Sequence, residues 1–520
     1  MQKMTKKIFT LFMFIIVGLL LVSCIDSNNP GVKPPGTIDP PEIPVVPEPT
    51  ENQLNLFYLN DTHGAVLNNG KEMGLANIAN YIITKQETKK NQTIFVTGGD
   101  ILQGQLISNT NKGAVMIESF NEMKLDAFII GNHEFDWGLD VILNYFNDSK
   151  QDVKANFPLL GANVIEKATG QRPKGIDSHV IIERNGLKVG IVGAIGDGQE
   201  SSISYRRVEP YKFTDAFSAI EKTVNEIKNE VDLILVGVHS SNEVLNYKIA
   251  RLSKVQTIFN AHSHSKYEGV INGIPYLQSG SNGQNLGEVI LDYEKDETGL
   301  DLLESQVNNL SSDELLLQKP NLAVEKIIDK YYKEIESLYT DVIITASEKM
   351  TRTKLANYIA KVMKTVTGSV AGFQNNGGTR NEIFSGQQLT AADIFQVFPF
   401  DNEIVYTEVP GSYLITLLND SYFFIDSDIS EFDINRNEYY RVATNDYVFY
   451  SSYNKFLSVQ KGPQTVYGDM YEVFVEVLKE LRIQGHKEFN SNSPILIGPN
   501  QIDFANYYYF NKKSYEVLYV

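Results

Sequence analysis

Cysteine is almost absent: the 520-residue chain has one, Cys24. That excludes an intramolecular disulfide framework and any zinc site built from several thiolates. Positive charge is also short. Lys and Arg total 46 against 64 Asp and Glu, a formal net charge of −18, so the chain is a poor candidate for holding bulk nucleic acid through its phosphates. Histidine is scarce at seven residues, so the place of each is informative. What remains is ordinary globular composition, 42% hydrophobic and 21% charged. The length is enough for about two to four domains.

Residues 1–23 read as a targeting segment and are set apart from the fold. Lys3, Lys6 and Lys7 precede an apolar run from Ile8 to Val22. At about 15 residues that run is short of the roughly 20 a spanning helix needs. It ends in Leu21-Val22-Ser23-Cys24, which resembles a bacterial lipobox, so Cys24 is expected to carry a lipid anchor on the extracellular face of the cell membrane. Residues 24–52 read as a tether, with eight of the 18 prolines between 25 and 50. Proline at that density favours extended polyproline II geometry, with a reach of about 80 Å.

Beyond the tether the pattern is α/β. Apolar runs at Leu54–Leu59, Thr93–Val96, Ala127–Ile130, Val231–Val238 and Val255–Phe259 read as buried strands. Val180–Ile182 and Val189–Val192 flank Asn185-Gly186 and read as a hairpin. Helical spacing covers 75–90 and Pro320–Tyr339, the second read as a connector. Each of the five runs is followed by a side chain able to hold a metal: Asp61 and His63, Asp100, Asn132, His239, then His262 and His264.

In open α/β sheets, sites form beyond the carboxyl ends of the strands, so these seven residues could face one point. Five of the seven histidines fall in these patches; His179 and His486 do not. Imidazole and carboxylate together suit Zn, Mn, Fe or Co. Seven ligands are too many for one tetrahedral ion but suit two divalent ions sharing a carboxylate. Asp100, alone on its loop, is the expected bridge. Such a pair clamps a phosphoryl group and acidifies water at neutral pH.

Asp61-x-His63, Gly98-Gly99-Asp100, Gly131-Asn132-His133-Glu134, His239 and His262-x-His264 resemble the motif series of the calcineurin-like dimetal phosphoesterases. Asn60-Asp61-Thr62-His63-Gly64 and Gly131 to Asp136 resemble one branch, the 5′-nucleotidase family with its UDP-sugar hydrolase and cyclic-phosphodiesterase relatives. The resemblance covers roughly 53–460. It implies an N-terminal metallophosphoesterase β-sandwich flanked by helices over 53–310, a connecting helix over 311–345 and a C-terminal α/β substrate-binding domain over 346–520. It assigns Asp61, His63, Asp100 and His264 to one metal, and Asp100, Asn132, His239 and His262 to the other. His133 matches the catalytic histidine and Asp136 the carboxylate that orients it. Ala261 and Ser240-Ser241 depart from positions where the family favours glycine, without removing a ligand.

In the second half, Asn375-Asn376-Gly377-Gly378-Thr379-Arg380 and Pro399-Phe400-Asp401-Asn402 resemble the family's substrate-binding segments. Carried over, Asn375 and Arg380 contact sugar or phosphate, Phe400 stacks on the base and Asn402 bonds near it. Arg352 stands about where the family has another phosphate-binding arginine. Tyr447 would close the aromatic sandwich. Where the family has Gly-Gly-Asp-Gly-Tyr, this chain has Ser451-Ser452-Tyr453-Asn454-Lys455, so Tyr453 replaces the ribose-contacting Asp. The aromatic run Tyr507–Phe510 reads as packing. The expectation is a monomeric, lipid-anchored 5′-nucleotidase for nucleotide scavenging, with the two domains rotating to bring substrate to the metals. A 2′,3′-cyclic-nucleotide phosphodiesterase or UDP-sugar hydrolase is the alternative within the class, and a non-catalytic nucleotide-binding lipoprotein the one outside it.

Overall fold

In the computed structural model, the strand Gln53–Leu59 shows why its sequence turns from alternation at Gln53–Asn55 to a continuous apolar run at Leu56–Leu59. Leu54, Leu56 and Tyr58 face a second sheet, while Phe57 and Leu59 face helices. Successive strand side chains point to opposite faces, and here both faces are covered. The same split divides Ile94 and Val96 from Phe95, and Ala127 and Ile129 from Phe128. The structure describes residues 52–147, 152–297, 299–451, 453–499 and 501–502. The targeting segment, Cys24, all of the tether but Asn52, Ser452 and the run Tyr507–Phe510 lie outside the described residues.

The first sheet runs in the order Gly299–Leu310, Leu286–Asp296, Gln53–Leu59, Thr93–Thr97, Ala127–Ile129, Leu159–Leu160, Ile176–Asp177. The second runs Lys266–Ile271, Ile274–Ser279, Val255–Asn260, Leu233–His239, Leu187–Ile195, His179–Arg184. They pack face to face as the expected sandwich. Helices Leu75–Thr88, Ala114–Glu122 and Leu322–Thr340 cover the first sheet; Ala216–Ile227 and Glu243–Ile249 cover the second. The helix read as a connector thus buries Val324, Ile328, Tyr331 and Ile335 in the N-terminal core. The hairpin forms as read, with Asn185 and Gly186 both at positive φ, the twist a two-residue turn requires.

Parallel pairing decides where chemistry can gather. Gln53–Leu59, Thr93–Thr97 and Ala127–Ile129 are parallel neighbours, as are Leu187–Ile195, Leu233–His239 and Val255–Asn260. Their carboxyl ends are followed by the seven metal-ligand candidates.

The C-terminal region adds a five-stranded sheet in the order Phe423–Ser427, Ala371–Asn375, Tyr439–Asn445, Glu403–Pro410, Thr465–Asp469. Helices Arg352–Thr367 and Met470–Ile483 supply much of the neighbouring core. Helix Ala391–Val397 starts in a capping box between Thr390 and Asp393 and delivers Phe398, Pro399 and Phe400 at its far end. Among the described residues, no helix is long and apolar enough to cross a membrane.

Glu472, in the first turn of Met470–Ile483, is 6% exposed and its Oε2 has no hydrogen-bond partner. Burial, with Asp401 and Glu476 nearby, pushes its carboxyl up to about 7. A carboxyl raised in the fold favours the folded state below its unfolded pKa, and that contribution is lost as pH rises through about 7. Glu472→Gln is therefore expected to stabilise the protein at pH 8 by on the order of 2 kcal/mol and to do little at pH 4, as read by denaturant unfolding at both values.

Candidate active site

The two parallel strand sets bring Asp61, His63, Asp100 and His264 together, and beside them Asp100, His239 and His262; within each group the ligand atoms lie within 4.8 Å of one another. Asp100 belongs to both groups. Asn132 joins the second: its Oδ1 is 3.1 Å from His239 Nε2 and 3.0 Å from His262 Nδ1. Asp61, His63, Asp100, His262 and His264 all have φ between 48° and 79°, the left-handed region. Side chains are rare there, at a cost of about 1–3 kcal/mol per residue, and such residues cluster at functional sites.

Two further contacts show what the cluster is built to hold. His63 donates Nδ1–H to the Gln103 carbonyl at 3.0 Å, so its Nε2 carries a lone pair, and that atom stands 3.0 Å from Nε2 of His264. His239 donates Nδ1–H to the Gly98 carbonyl at 2.7 Å, and its Nε2 faces Asp100 Oδ2 at 3.2 Å as well as Asn132 Oδ1. Nitrogens and oxygens crowded this closely make a ready set of ligands for cations, although without one His239 is held up at about 9, where burial is outweighed by Asp100 and Asp61. Burial and the neighbouring imidazoles push His63 down to about 3 and His262 to about 4, leaving neutral ligand nitrogens. Burial, opposed by His239 and reinforced by Asp100, pushes Asp61 up to about 7. Asp100 stays well below the carboxylate range: burial opposes this, but His239 and His133 beside it prevail. An imidazole, carboxylate and amide-oxygen set without thiolate suits first-row divalent ions.

The loops are braced from beneath. Glu134 is fully buried and takes four backbone donors: Asp100 N at 2.9 Å and Gly131 N at 2.8 Å on Oε2, Ile101 N at 2.9 Å and Leu102 N at 3.4 Å on Oε1. Asn60 donates to Asp61 Oδ2 at 2.6 Å and accepts from Ser279 N at 2.8 Å, tying the first sheet to the second. Gly99 is at φ 88°, and a Cβ there would meet Gly131 N at 2.5 Å and His239 Nδ1 at 2.8 Å, so the Asp100 loop needs this glycine. Asn60, Gly99 and Glu134 stand inside the sequence motifs, but nothing in the polar stretch Gly131–Asp136 marks Glu134 as a brace.

His133 stands beside the cluster. Its Nδ1 is 2.7 Å from Asp136 Oδ2, and its Nε2 is 4.0 Å from Asp100 Oδ2. Burial pulls this imidazole down, but Asp136 and Asp100 outweigh it and hold it up at about 10. A carboxylate partner on Nδ1 leaves Nε2–H free to point elsewhere.

One cavity of about 470 Å³ is lined by Asp100, Asn132, His133, Asp136, His262 and His264 on one side and by Asn375, Arg380, Phe400, Asn402 and Tyr447 on the other. That size is typical of small-ligand sites. The Arg380 guanidinium lies 5.1 Å from the Phe400 ring centroid, and the Phe400 ring is stacked on His133 at 6.3 Å. Asn375 Oδ1 accepts from Asn445 Nδ2 at 2.9 Å. Two residues named from sequence stand elsewhere. Arg352 does not line the cavity; its Nε donates to the Thr379 carbonyl at 3.0 Å and so props the turn carrying Arg380. Tyr453 is 84% exposed and is also absent from the lining. Ser201, Ser202, Ser204, Arg207, Tyr422 and Asp446 line it without having been foreseen. The 201–207 segment comes from the N-terminal half, some 240 residues from Tyr447, whose hydroxyl donates to the Ser201 carbonyl at 3.2 Å.

Sandwich and metal-ligand cluster together define a calcineurin-like metallophosphoesterase, and the family model described as calcineurin-like phosphoesterase matches residues 54–266. The model described as 5′-nucleotidase, C-terminal domain, matches 337–429. The chain belongs to the 5′-nucleotidase family of metallophosphoesterases. Among curated relatives, Endonuclease YhcR of Bacillus subtilis is 27% identical over 70% of this chain and 32% of its own length. Trifunctional nucleotide phosphoesterase protein YfkN of the same organism is 26% identical over 84% of this chain and 34% of its own. The chain thus spans about a third of the length of these two relatives. A 5′-nucleotidase of Vibrio vulnificus is 22% identical over 71% of this chain and 76% of its own. Among solved structures, a 5′-nucleotidase precursor from Thermus thermophilus has a TM-score of 0.66 at 19% identity, covering 87% of this chain and all of its own. The sulfate thiohydrolase SoxB of Thermus thermophilus reaches 0.61 at 12% identity, covering 88% and 98%. These structural likenesses carry the fold alone.

Glu134→Gln puts an amide NH₂ against backbone donors and is expected to cost about 2–3 kcal/mol, one lost buried pairing plus an unpaired donor. Denaturant unfolding of metal-free protein reads the stability, and titration with Mn²⁺ reads the loosened Asp100 loop as weaker binding; unchanged values in both would remove the brace from the account.

Proposed function

We propose that the protein is a metal-dependent phosphohydrolase releasing phosphate from nucleoside 5′-monophosphates, held outside the cell by a lipid on Cys24. The observation that carries this reading is the shared cavity, in which the metal-ligand cluster and His133 face Arg380, Phe400, Asn402 and Tyr447. Two ions are proposed, the first on Asp61, His63, Asp100 and His264, the second on Asp100, Asn132, His239 and His262. Divalent cations bound there supply Lewis acidity to phosphoryl oxygens and acidify water at neutral pH.

The chain's own groups do the rest. Asp136 fixes the His133 ring through Nδ1, so Nε2–H is presented to the departing 5′-oxygen, where charge develops in the transition state. Arg380 offers a planar fork suited to phosphate oxygens. Phe400 and Tyr447 bracket the base, and Asn375 and Asn402 supply hydrogen bonds beside it.

A second reading has its own support. With Tyr453 turned to solvent, the family's acidic ribose contact is missing from the cavity lining. Recognition that does not depend on free ribose hydroxyls suits 2′,3′-cyclic nucleotides, in which both are esterified.

Phosphate release from adenosine 5′-monophosphate is expected with Mn²⁺ or Zn²⁺, to vanish after chelation and to return on adding metal. Asp100→Asn is expected to lower the rate at least about 100-fold, since it removes the shared ligand. Equal hydrolysis by that variant would sink the two-ion assignment. Asp136→Asn is expected to reduce kcat about 10- to 100-fold with the fold intact. A panel including cyclic nucleotides and UDP-glucose separates the two readings.

A further inference from the structure

Lys112 lies between the helices Leu106–Asn109 and Ala114–Glu122, at φ 53°, an uncommon backbone for a residue with a side chain. Buried Tyr145 holds it there, donating its hydroxyl to the carbonyls of Lys112 at 3.0 Å and Asn111 at 3.3 Å. The lysine ammonium donates to Asp401 Oδ2 at 2.7 Å, and Asn109 Nδ2 donates to Asp401 Oδ1 at 3.3 Å, so both carboxylate oxygens are engaged. The same ammonium lies 5.1 Å from the ring centroid of Trp137. Both members of the ion pair have side chains only 22% exposed.

The positions of these partners give the contact its meaning. Trp137 follows Asp136, which orients His133. Asp401 stands between Phe400 and Asn402. On the other flank of Phe400, the Gln103 side-chain amide donates to the Pro399 carbonyl, while the Gln103 backbone carbonyl accepts from His63. Gln103 therefore joins the metal-ligand cluster to one side of Phe400, while Asn109 and Lys112 hold Asp401 on the other. Ordinary surface ion pairs contribute little, because water screens them and two long side chains must be ordered. This one is half-enclosed, engages both oxygens and is backed by an aromatic face, which limits both losses.

We infer that Lys112 is a positioning residue for nucleoside recognition: through Asp401 it fixes where Phe400 and Asn402 stand relative to His133. It acts on substrates that carry a base and is silent toward phosphate esters without one. The inference rests on the nucleotidase reading for the roles of Phe400 and Asn402.

The test compares the whole protein with Lys112→Met, which keeps the apolar stem over Trp137 and removes the charge, and with Asp401→Asn and the double variant. Substrates are adenosine 5′-monophosphate and p-nitrophenyl phosphate, both with Mn²⁺. Lys112→Met is expected to raise KM for the nucleotide about tenfold with kcat little changed, and to leave p-nitrophenyl phosphate hydrolysis within about twofold. The double variant is expected to lose no more than either single one, as partners in one interaction do. Lys112→Arg, which restores a cation, is expected to recover much of the nucleotide affinity. An unchanged nucleotide KM in Lys112→Met overturns the inference, as does an equal loss on both substrates, which marks a general structural role. If the wild-type protein hydrolyses p-nitrophenyl phosphate but no nucleotide, the nucleotidase reading itself fails, and the inference with it.

Discussion

Ligand side chains crowded onto one point from two sheets are the constraint on which the rest of this molecule depends. His63 and His264 bring their Nε2 atoms to 3.0 Å, and His239, Asp100 and Asn132 gather beside them. No hydrophobic packing would choose that arrangement, and the five left-handed backbones beneath it add strain. The strand cores tolerate it because two sheets and their covering helices over-determine where each loop begins. Glu134 and Asn60 then hold the loops in place with buried hydrogen bonds, which are strong where water is excluded.

The second body completes the site and is seated on the first through Leu106, Leu338 and Tyr339. Its sheet carries Asn375 at a strand end, and a capped helix delivers Phe400. Each grips what the other lacks. The sandwich supplies ligands and His133, while the C-terminal sheet supplies arginine, amide and aromatic surface. In a chain with a formal charge of −18, Arg207, Arg380 and His133 set positive groups among the carboxylates of this lining, where an anionic substrate would sit.

Much of this was legible because the metal-ligand candidates follow strands that are apolar on both faces. Leu56–Leu59 and Leu233–Val238 stand out as apolar runs, and histidine, scarce in this chain, recurs just after several of the strands. What could not be read was anything set by approach rather than by spacing. Glu134 looks like a solvated acid until four backbone donors are found around it. Arg352 carries a charge suited to phosphate, yet its reach ends on a carbonyl behind the turn. Tyr453 replaces an acidic residue in the motif, but only the fold shows it leaving the cavity. The segment Ser201–Arg207 has no local pattern at all; it becomes part of the lining because two bodies meet there.

The two rims of the cavity are fastened unequally. Near Phe400, an ion pair and a backbone-directed amide join the bodies. Near Tyr447, the contacts are neutral or singly charged: the Tyr447 hydroxyl on the Ser201 carbonyl, and Arg206, which donates to the Tyr450 hydroxyl at 3.3 Å and lies 4.7 Å from that ring's centroid. Contacts of the second sort are worth about 0.5–2 kcal/mol each, within a few multiples of thermal energy. Parting the Tyr447 rim while the Phe400 rim holds is therefore the cheaper deformation, and it would let a nucleoside enter edge-on past the serines and swing toward the arginine and histidine as the gap recloses.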